Sequence, residues 1–506
     1  MQQICEHGYD AKDFLLHRCR TPHNDPNVLA VRYHAGAILG SIHRSIAIQQ
    51  WFQVHYPDPM YPLDTQTRVE RSLAAFDLFV LHDQHGDIDE VGFKSDHHGN
   101  LHQLTLSPLQ TIQLLDTHAA AFMRTQPEWS EMNTRQKALA LNQWMRATNL
   151  VGLDDQEDFR NLRNCFIGQA LRDVKHESIP LISCAIYCGI AERVGLHAEC
   201  FLPPICAHVV VTAPPGLDLD ANPSTDEHQM YLNPFETNGE VPLEYLERLA
   251  LYANTTISRL RRSGNVAVAA AAKRTARSIE DAHDSAAHFA DRLVSGALLR
   301  GHPAVNLQLA LYAARWALLL LSPPRADNGD TRFMRVMKEI RDNWPEDEWI
   351  MAQHLRALQN KGAARGALAA NLVLTPPDEH HAANLSDCAL TAERVAPFRL
   401  GQVFVHRRYQ WLGAIVGFYA APSASSAILD AGSEGAGNHP RKFYIRTITA
   451  SDLTEQIISS DNLQVVDRFR ATEDMFPLAG RYFKRFDRDA GCFVSNVDEL
   501  YPGLTA

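Results

Sequence analysis

The 506-residue chain has no apolar run long enough to span a bilayer. Its most apolar stretch, Leu307 to Leu321, contains Gln308 and Arg315 and is followed by Pro323-Pro324, so it reads as a buried helix and predicts no membrane partner. The opening residues, MQQICEHGYDAKDFLLHRCR, lack the apolar centre of a secretory signal. Nine cysteines are scattered without framework spacing, so they read as reduced thiols of a cytoplasmic or nuclear protein. There is no Gly-rich phosphate loop, no G-x-S-x-G elbow and no kinase signature, so those enzyme classes are unsupported and no cofactor is expected. Positive charge is also short: 48 Lys and Arg against 59 Asp and Glu give a net charge of −11. That balance excludes a generally basic nucleic-acid binder and leaves only a local one.

What is present is enough chain for two to four domains. The periodicities predict an α+β multidomain protein. A mostly helical shell surrounds an α+β core, followed by a helical bundle and a small C-terminal β-barrel. Residues 1–105 form a helical region, with apolar residues at helical spacing over 28–52 and 68–82. A turn is expected over 83–91. Residues 106–240 form the α+β segment, in which EDFRNLRNCFIGQALRD (157–173) reads as one amphipathic helix. Residues 241–360 return to paired helices, with a repeat organisation as one alternative. Residues 361–395 read as a linker and 396–506 as a barrel of SH3-like size, with a flexible hairpin insertion over 424–440.

The chain is organised around Ser178 to Val211. Ser178 is the expected N-cap of a buried helix, Pro180 lies in its first turn, and Gly195 stops it. HAECFL, HVVVTA and MYLNPF then suit short antiparallel strands, and His208 opens the second. A cysteine-nucleophile enzyme needs a thiol at such a helix N-terminus, a nearby His, and a group that orients the His. Here Pro180 stands in the first turn. Cys184 and Cys188 lie one and two turns deeper, on a face shared with Leu181 and Ala185, where protonated structural cysteines sit. Asn233 takes the position of the orienting acid, a role Asn can fill. The reading is therefore a degenerate site at Pro180, His208 and Asn233 with no catalysis expected. Residual cysteine hydrolase or transferase chemistry at Cys184 with His208 is the outside alternative.

Two further candidates are weaker. Cys200, Cys206 and His208 have C-x5-C-x-H spacing, and His82, Asp83, His85 and Asp87 cluster, but neither forms a closed set of zinc ligands, so no metal is expected. In the barrel, Arg407, Arg408, Tyr409 and Trp411, with Arg441, Lys442 and Arg446, could follow a phosphate backbone. Residues 394–506 hold 13 Lys and Arg against 12 Asp and Glu, far from the basic excess of a DNA-wrapping domain. A protein-binding face or a solvated rim is the competing reading.

Residues 161–235, through NLRNCFIGQAL, HESIPLISCAIYCGIAERVGL and YLNPFE, resemble the SirB-type transglutaminase-like domain. Residues 396–505, through FRLGQVFVHRRYQWLGAIVGF and GRYFKRFDRDAGCFVSN, resemble the YccV-like, or hemimethylated-DNA-binding, domain. With GYDAKDFLLHRC and RSLAAFDLFVLHDQHGDIDEV ahead of them, the order is similar to that of F-box-only proteins. The resemblance implies a substrate receptor of a Skp-cullin-F-box ubiquitin ligase, whose partners are a Skp-type adaptor and the protein to be ubiquitinated. It implies DNA as a partner of 396–506. Only seven residues precede GYDAKDFLLHRC, so the F-box is expected to be missing from this sequence. Transferred by position, the family's cysteine falls on Pro180, its histidine on His208 and its aspartate on Asn233, which implies a pseudoenzyme.

Overall fold

A computed structural model describes residues 11–55, 63–80, 108–154, 159–172, 175–260, 264–290, 307–322, 331–359, 398–420, 443–449, 455–466 and 475–495. The expected linker 361–395, the turn 83–91, the insertion 424–440, the cluster at His82, Asp83, His85 and Asp87, and Arg441 and Lys442 lie outside the described residues. The chain divides into two compact units, residues 40–350 and residues 1–39 with 351–506. The architecture is α+β and multidomain, as the sequence predicts.

The helices of the N-terminal half are α1 (Lys12–Cys19), α2 (Val28–His55), α3 (Thr65–Val80), α4 (Pro108–Arg124), α5 (Thr134–Ala147), α6 (Ile167–Arg172) and α7 (Pro180–Arg193). Strands β1 (Ala198–Phe201), β2 (His208–Thr212), β3 (Gln229–Leu232) and β4 (Glu240–Val241) follow. Helices α8 (Leu243–Tyr252), α9 (Ile257–Leu260), α10 (Gly264–Ala290), α11 (Leu307–Leu321), α12 (Thr331–Asp342) and α13 (Glu348–Gln359) complete the helical part.

In the unit of residues 40–350, α7 is apolar on every side, and Leu181 through Ala191 are all buried, which is the pattern of a core helix rather than a surface one. It packs against α3, α4, α5 and the first two strands. The sheet order is β1-β2-β3-β4, all antiparallel, with Phe201 opposite His208 and Val209 opposite Leu232. Successive side chains of β2 alternate faces, and both faces are buried. Val210 joins Phe201, Tyr231, Val241 and Leu246 of α8 in one cluster. A second part of the core joins α2, α3 and α11: the Trp51 ring lies 4.7 Å from Phe76 and 5.8 Å from Phe79, and Phe79 meets Tyr312 edge-on at 5.3 Å. The Trp51 indole donates to the Ser72 carbonyl at 2.9 Å, so its polar atom is satisfied.

Local rules explain some helix ends. Asn133 caps α5 through a reciprocal capping box with Gln136. Gly195, at φ +76°, follows the last turn of α7 as expected. Two expectations are corrected. The N-cap of α7 is Ile179, not Ser178, and it makes no side-chain cap. Pro180 at the first position removes one of the N–H groups a cap would serve. Ser178 instead places its hydroxyl 2.7 Å from that of Ser183. The single helix expected over 157–173 is also broken, into a 3₁₀ turn at Leu162–Cys165 and α6. Asn161 caps the turn, Phe166 is extended and buried, and the new helix starts on a carboxylate from α3: Asp77 accepts from Gly168 N at 3.0 Å and Gln169 N at 3.1 Å.

In the other unit, β5 (Val403–His406), β6 (Leu412–Ala420), β7 (Phe443–Thr449), β8 (Glu455–Ser459) and β9 (Leu463–Val465) form an antiparallel sheet ordered β8-β7-β6-β5-β9. A short helix α14 (Phe476–Ala479) leads to the hairpin β10 (Phe483–Asp487) and β11 (Cys492–Ser495). Val403, Ala414, Ile448, Phe483 and Phe493 share a core with Val28 and Leu29 of α2. Gly401 permits the close approach of the hairpin: at φ +79° its N–H donates to Ile415 O and its carbonyl accepts from Phe493 N, both at 2.8 Å, and a Cβ there would collide with the Phe493 carbonyl oxygen.

Candidate functional sites

The first site lies where α7 meets β1 and β2. The chain entering α7 is tied down: Ser178 N donates to Gly152 O at 2.9 Å, and Ile179 N to Asn164 O at 3.1 Å. Cys184 is buried, and burial first, then Cys200 and Cys206, push its thiol well above the ordinary range. Arg274 pulls the other way and loses. No hydrogen bond joins Cys184 to His208. Cys206 is half-buried, and its thiol is pushed up to about 11 by burial and then by Glu236, again against Arg274. Both sulfurs are therefore protonated at neutral pH, the state that lacks nucleophilicity.

His208 opens β2 with 1% of its surface exposed. Its Nδ1 lies 3.2 Å from the Cys206 carbonyl oxygen. A carbonyl only accepts, so Nδ1 carries the proton and donates, which leaves Nε2 as the acceptor. Burial lowers the affinity of the ring for a second proton, and Arg274 adds to that, so the ring is neutral. Asn233 does not orient it. The Asn233 amide donates to Glu236 Oε2 at 3.0 Å, and its Oδ1 accepts from Glu236 N at 3.3 Å, so the side chain closes the turn after β3. The structure thus gathers His208, Cys184 and Cys206 around one end of the sheet. It leaves Asn233 engaged elsewhere and Pro180 in the first turn of the helix.

The residue that sequence reasoning missed here is Arg274. It reaches the site from α10, donating from Nη1 to Pro203 O at 2.5 Å and from Nη2 to Ile205 O at 3.1 Å. This clamp holds the loop 202–207 that delivers His208. An arginine inside the alanine-rich run of α10 was the only signal, and nothing local connects it to a loop 71 residues earlier. Among the described residues, no group of three or more His, Cys, Asp and Glu is arranged to hold a metal ion.

The second site is the turn between β5 and β6. His406 is buried, and its Nδ1 accepts from the backbone N–H of both Arg408 and Tyr409 at 3.2 Å. Its ring lies 4.8 Å from that of Tyr409 and 4.9 Å from that of Trp411. Arg407 N donates to Asn462 O at 2.8 Å, Gln410 N to His406 O at 2.8 Å, and Gln410 takes φ +58°. These bonds build a fixed turn that presents Arg407, Arg408 and Tyr409 to solvent. Tyr409 is 63% exposed, and the Arg408 guanidinium lies over its ring. Arg446 is not part of this cluster. It pairs with Gly417, five residues along β6 from Leu412, or roughly 17 Å at the rise of a strand. There it donates to the Tyr482 hydroxyl at 3.0 Å.

A buried helix packed on an antiparallel sheet, with a histidine at the head of a strand, forms one module. The five-stranded sheet with its appended hairpin is a separate β-rich module. The comparisons name both. Residues 110–263 match the family described as the transglutaminase-like superfamily, and residues 396–490 match the one described as hemimethylated DNA-binding protein YccV like. The first match runs from α4 through α9 and stops short of α10, so Arg274 lies outside it. No curated protein and no solved structure matches the chain. No described helix is long and apolar enough to cross a membrane.

Proposed function

We propose that the protein is a non-catalytic recognition protein, in which the transglutaminase-like module serves as a binding scaffold. The observation that carries this is the position of sulfur: proline occupies the first turn of α7, while Cys184 is buried, protonated and not hydrogen-bonded to His208. The two matched families are consistent with protein or DNA as the bound partner. The finer reading, a substrate receptor of the Skp-cullin-F-box type acting in the cytoplasm or nucleus, rests on the order of the modules along the sequence. Two experiments test the proposal. A thiol-reactive probe at neutral pH labels Cys184 no faster than the buried Cys165; faster labelling reopens the hydrolase or transferase reading. Affinity purification from cells recovers a protein partner together with ubiquitin-pathway components. Recovery of no such component removes the receptor reading and leaves the scaffold reading to the probe.

A second reading has its own observation, the exposed turn of Arg407, Arg408 and Tyr409. Basic groups beside an exposed ring suit a nucleic-acid backbone and base. The full chain is titrated with hemimethylated, fully methylated and unmethylated duplex at low salt. Binding that weakens with salt, and weakens further in Arg407→Ala/Arg408→Ala, supports DNA recognition; no binding at low ionic strength excludes it.

A further inference from the structure

The thiols of the first module have a relation that the candidate site does not use. Cys188, two turns into α7, and Cys200, in β1, place their sulfurs 3.8 Å apart. Cys188 is fully buried, and Cys200 is half-buried. Helix α7 is fixed by packing on all sides, but among the described residues β1 pairs with β2 alone and lies at the edge of its sheet. A disulfide needs sulfurs about 2.05 Å apart, so closure requires an approach of roughly 1.8 Å. Side-chain rotation at Cys200 and a small shift of an edge strand can supply that. Cys184 also lies close enough to Cys200, and less strongly to Cys206, to feel their charge, but neither Cys184 nor Cys206 makes a hydrogen bond to another sulfur.

We infer that Cys188 and Cys200 form a reversible disulfide when the protein meets a peroxide. The half-buried Cys200 reacts first. Its sulfur attacks one oxygen of hydrogen peroxide, the O–O bond breaks, and the departing hydroxide takes the thiol proton as water, leaving a sulfenic acid. The buried Cys188 thiol then passes its proton to the sulfenic oxygen as its sulfur attacks the Cys200 sulfur, so the nucleophile is generated in the same step. The S–O bond breaks, the S–S bond forms, and the second hydroxide leaves as water with the Cys188 proton. In sum two thiols and one hydrogen peroxide give one disulfide and two waters: the sulfurs are oxidised by two electrons and the peroxide is reduced. The bond closes a short loop through the Gly195 turn and fastens α7 to the strand that pairs with the His208 strand. A thiol pair therefore gives the scaffold an oxidised, covalently locked form.

The test uses the full-length protein. It is treated with hydrogen peroxide, denatured in iodoacetamide to block remaining thiols, digested with trypsin and analysed by mass spectrometry. Cleavage at Arg193 separates the two cysteines, so a linkage joins two peptides. Fragment ions are expected to assign it to Cys188 and Cys200 rather than to Cys184 or Cys206 on the same peptides. The linkage is expected to disappear with dithiothreitol and in Cys200→Ser, and to persist in Cys206→Ser. Cys200 found only as free thiol or sulfinic acid at saturating peroxide overturns the inference. So does a linkage that fragment ions place on Cys184 or Cys206, a result read on the wild-type chain and independent of how any variant folds.

Discussion

Asp77 offers the sharpest test of how this core is built. Its carboxylate comes from α3, is fully buried, and caps α6 in place of a local side chain. Two effects compete. The N–H groups of a helix start and the Arg172 guanidinium favour the charged form; burial disfavours it, and burial is the larger. The group is raised from 3.8 to about 6. Because the folded state holds the proton more tightly than the unfolded chain, stability is greatest below the unfolded value. It falls as pH rises between roughly 4 and 6 and is level above that. At about 1.36 kcal/mol per pKa unit, the loss is about 3 kcal/mol. Asp77→Asn resembles the protonated acid in shape and in having one carbonyl acceptor, but it cannot ionise. The stability difference between variant and wild type is therefore expected to move by about 2 kcal/mol in favour of the variant between pH 4 and pH 7. Urea unfolding of both proteins across that range, followed by tryptophan fluorescence, gives the difference directly. A difference that stays constant with pH refutes the titration. A difference that moves in favour of wild type shows that the capping bonds and Arg172 outweigh burial.

Four other outcomes follow from single contacts. Gly401→Ala places a Cβ against the Phe493 carbonyl at a left-handed φ and is expected to cost about 3 kcal/mol or more, read as loss of the C-terminal β-unit's cooperative unfolding. Arg193→Met leaves the Glu70 carboxylate, now held by two hydrogen bonds of 2.9 and 3.0 Å, buried without its partner; the expected cost is about 3–5 kcal/mol by denaturant unfolding. Arg274→Met removes the two bonds to the 202–207 loop, costs about 2 kcal/mol, and loosens that loop selectively, so that hydrogen exchange speeds up at 205–209 before the rest of the sheet. Pro180→Cys puts a thiol in the first turn of α7, where a helix start favours thiolate, and is expected to label faster at neutral pH than any buried native cysteine; a rate equal to that of Cys165 would count against the assignment of that position.

Much of the frame was legible in the sequence because its signals are local and repeated. The all-round apolar run marked α7 as a buried helix, Gly195 marked its end, and the short β-branched and aromatic runs HVVVTA and MYLNPF located the sheet. The hairpin from Phe483 to Ser495 was also open to detection. Its turn is marked by Asp487, whose carboxylate accepts from Asp489 N and Ala490 N, and by Gly491 at φ +66°. Other features had no local trace. Phe166 broke a convincing amphipathic pattern because α6 begins on a carboxylate 91 residues earlier.

The site at α7 divides along the same line. The sequence by itself determined which atoms are available: proline in the first turn of α7, a histidine at the head of β2, and an asparagine after β3. Those identities limit the chemistry wherever the side chains point. Only the tertiary structure decided what the atoms do. Burial keeps Cys184 protonated, the Cys206 carbonyl takes the role of orienting His208 while Asn233 serves a turn, and Arg274 arrives from outside the matched module. Hydrogen-bond partners and desolvation depend on groups brought together from distant parts of the chain, and a one-dimensional pattern carries neither.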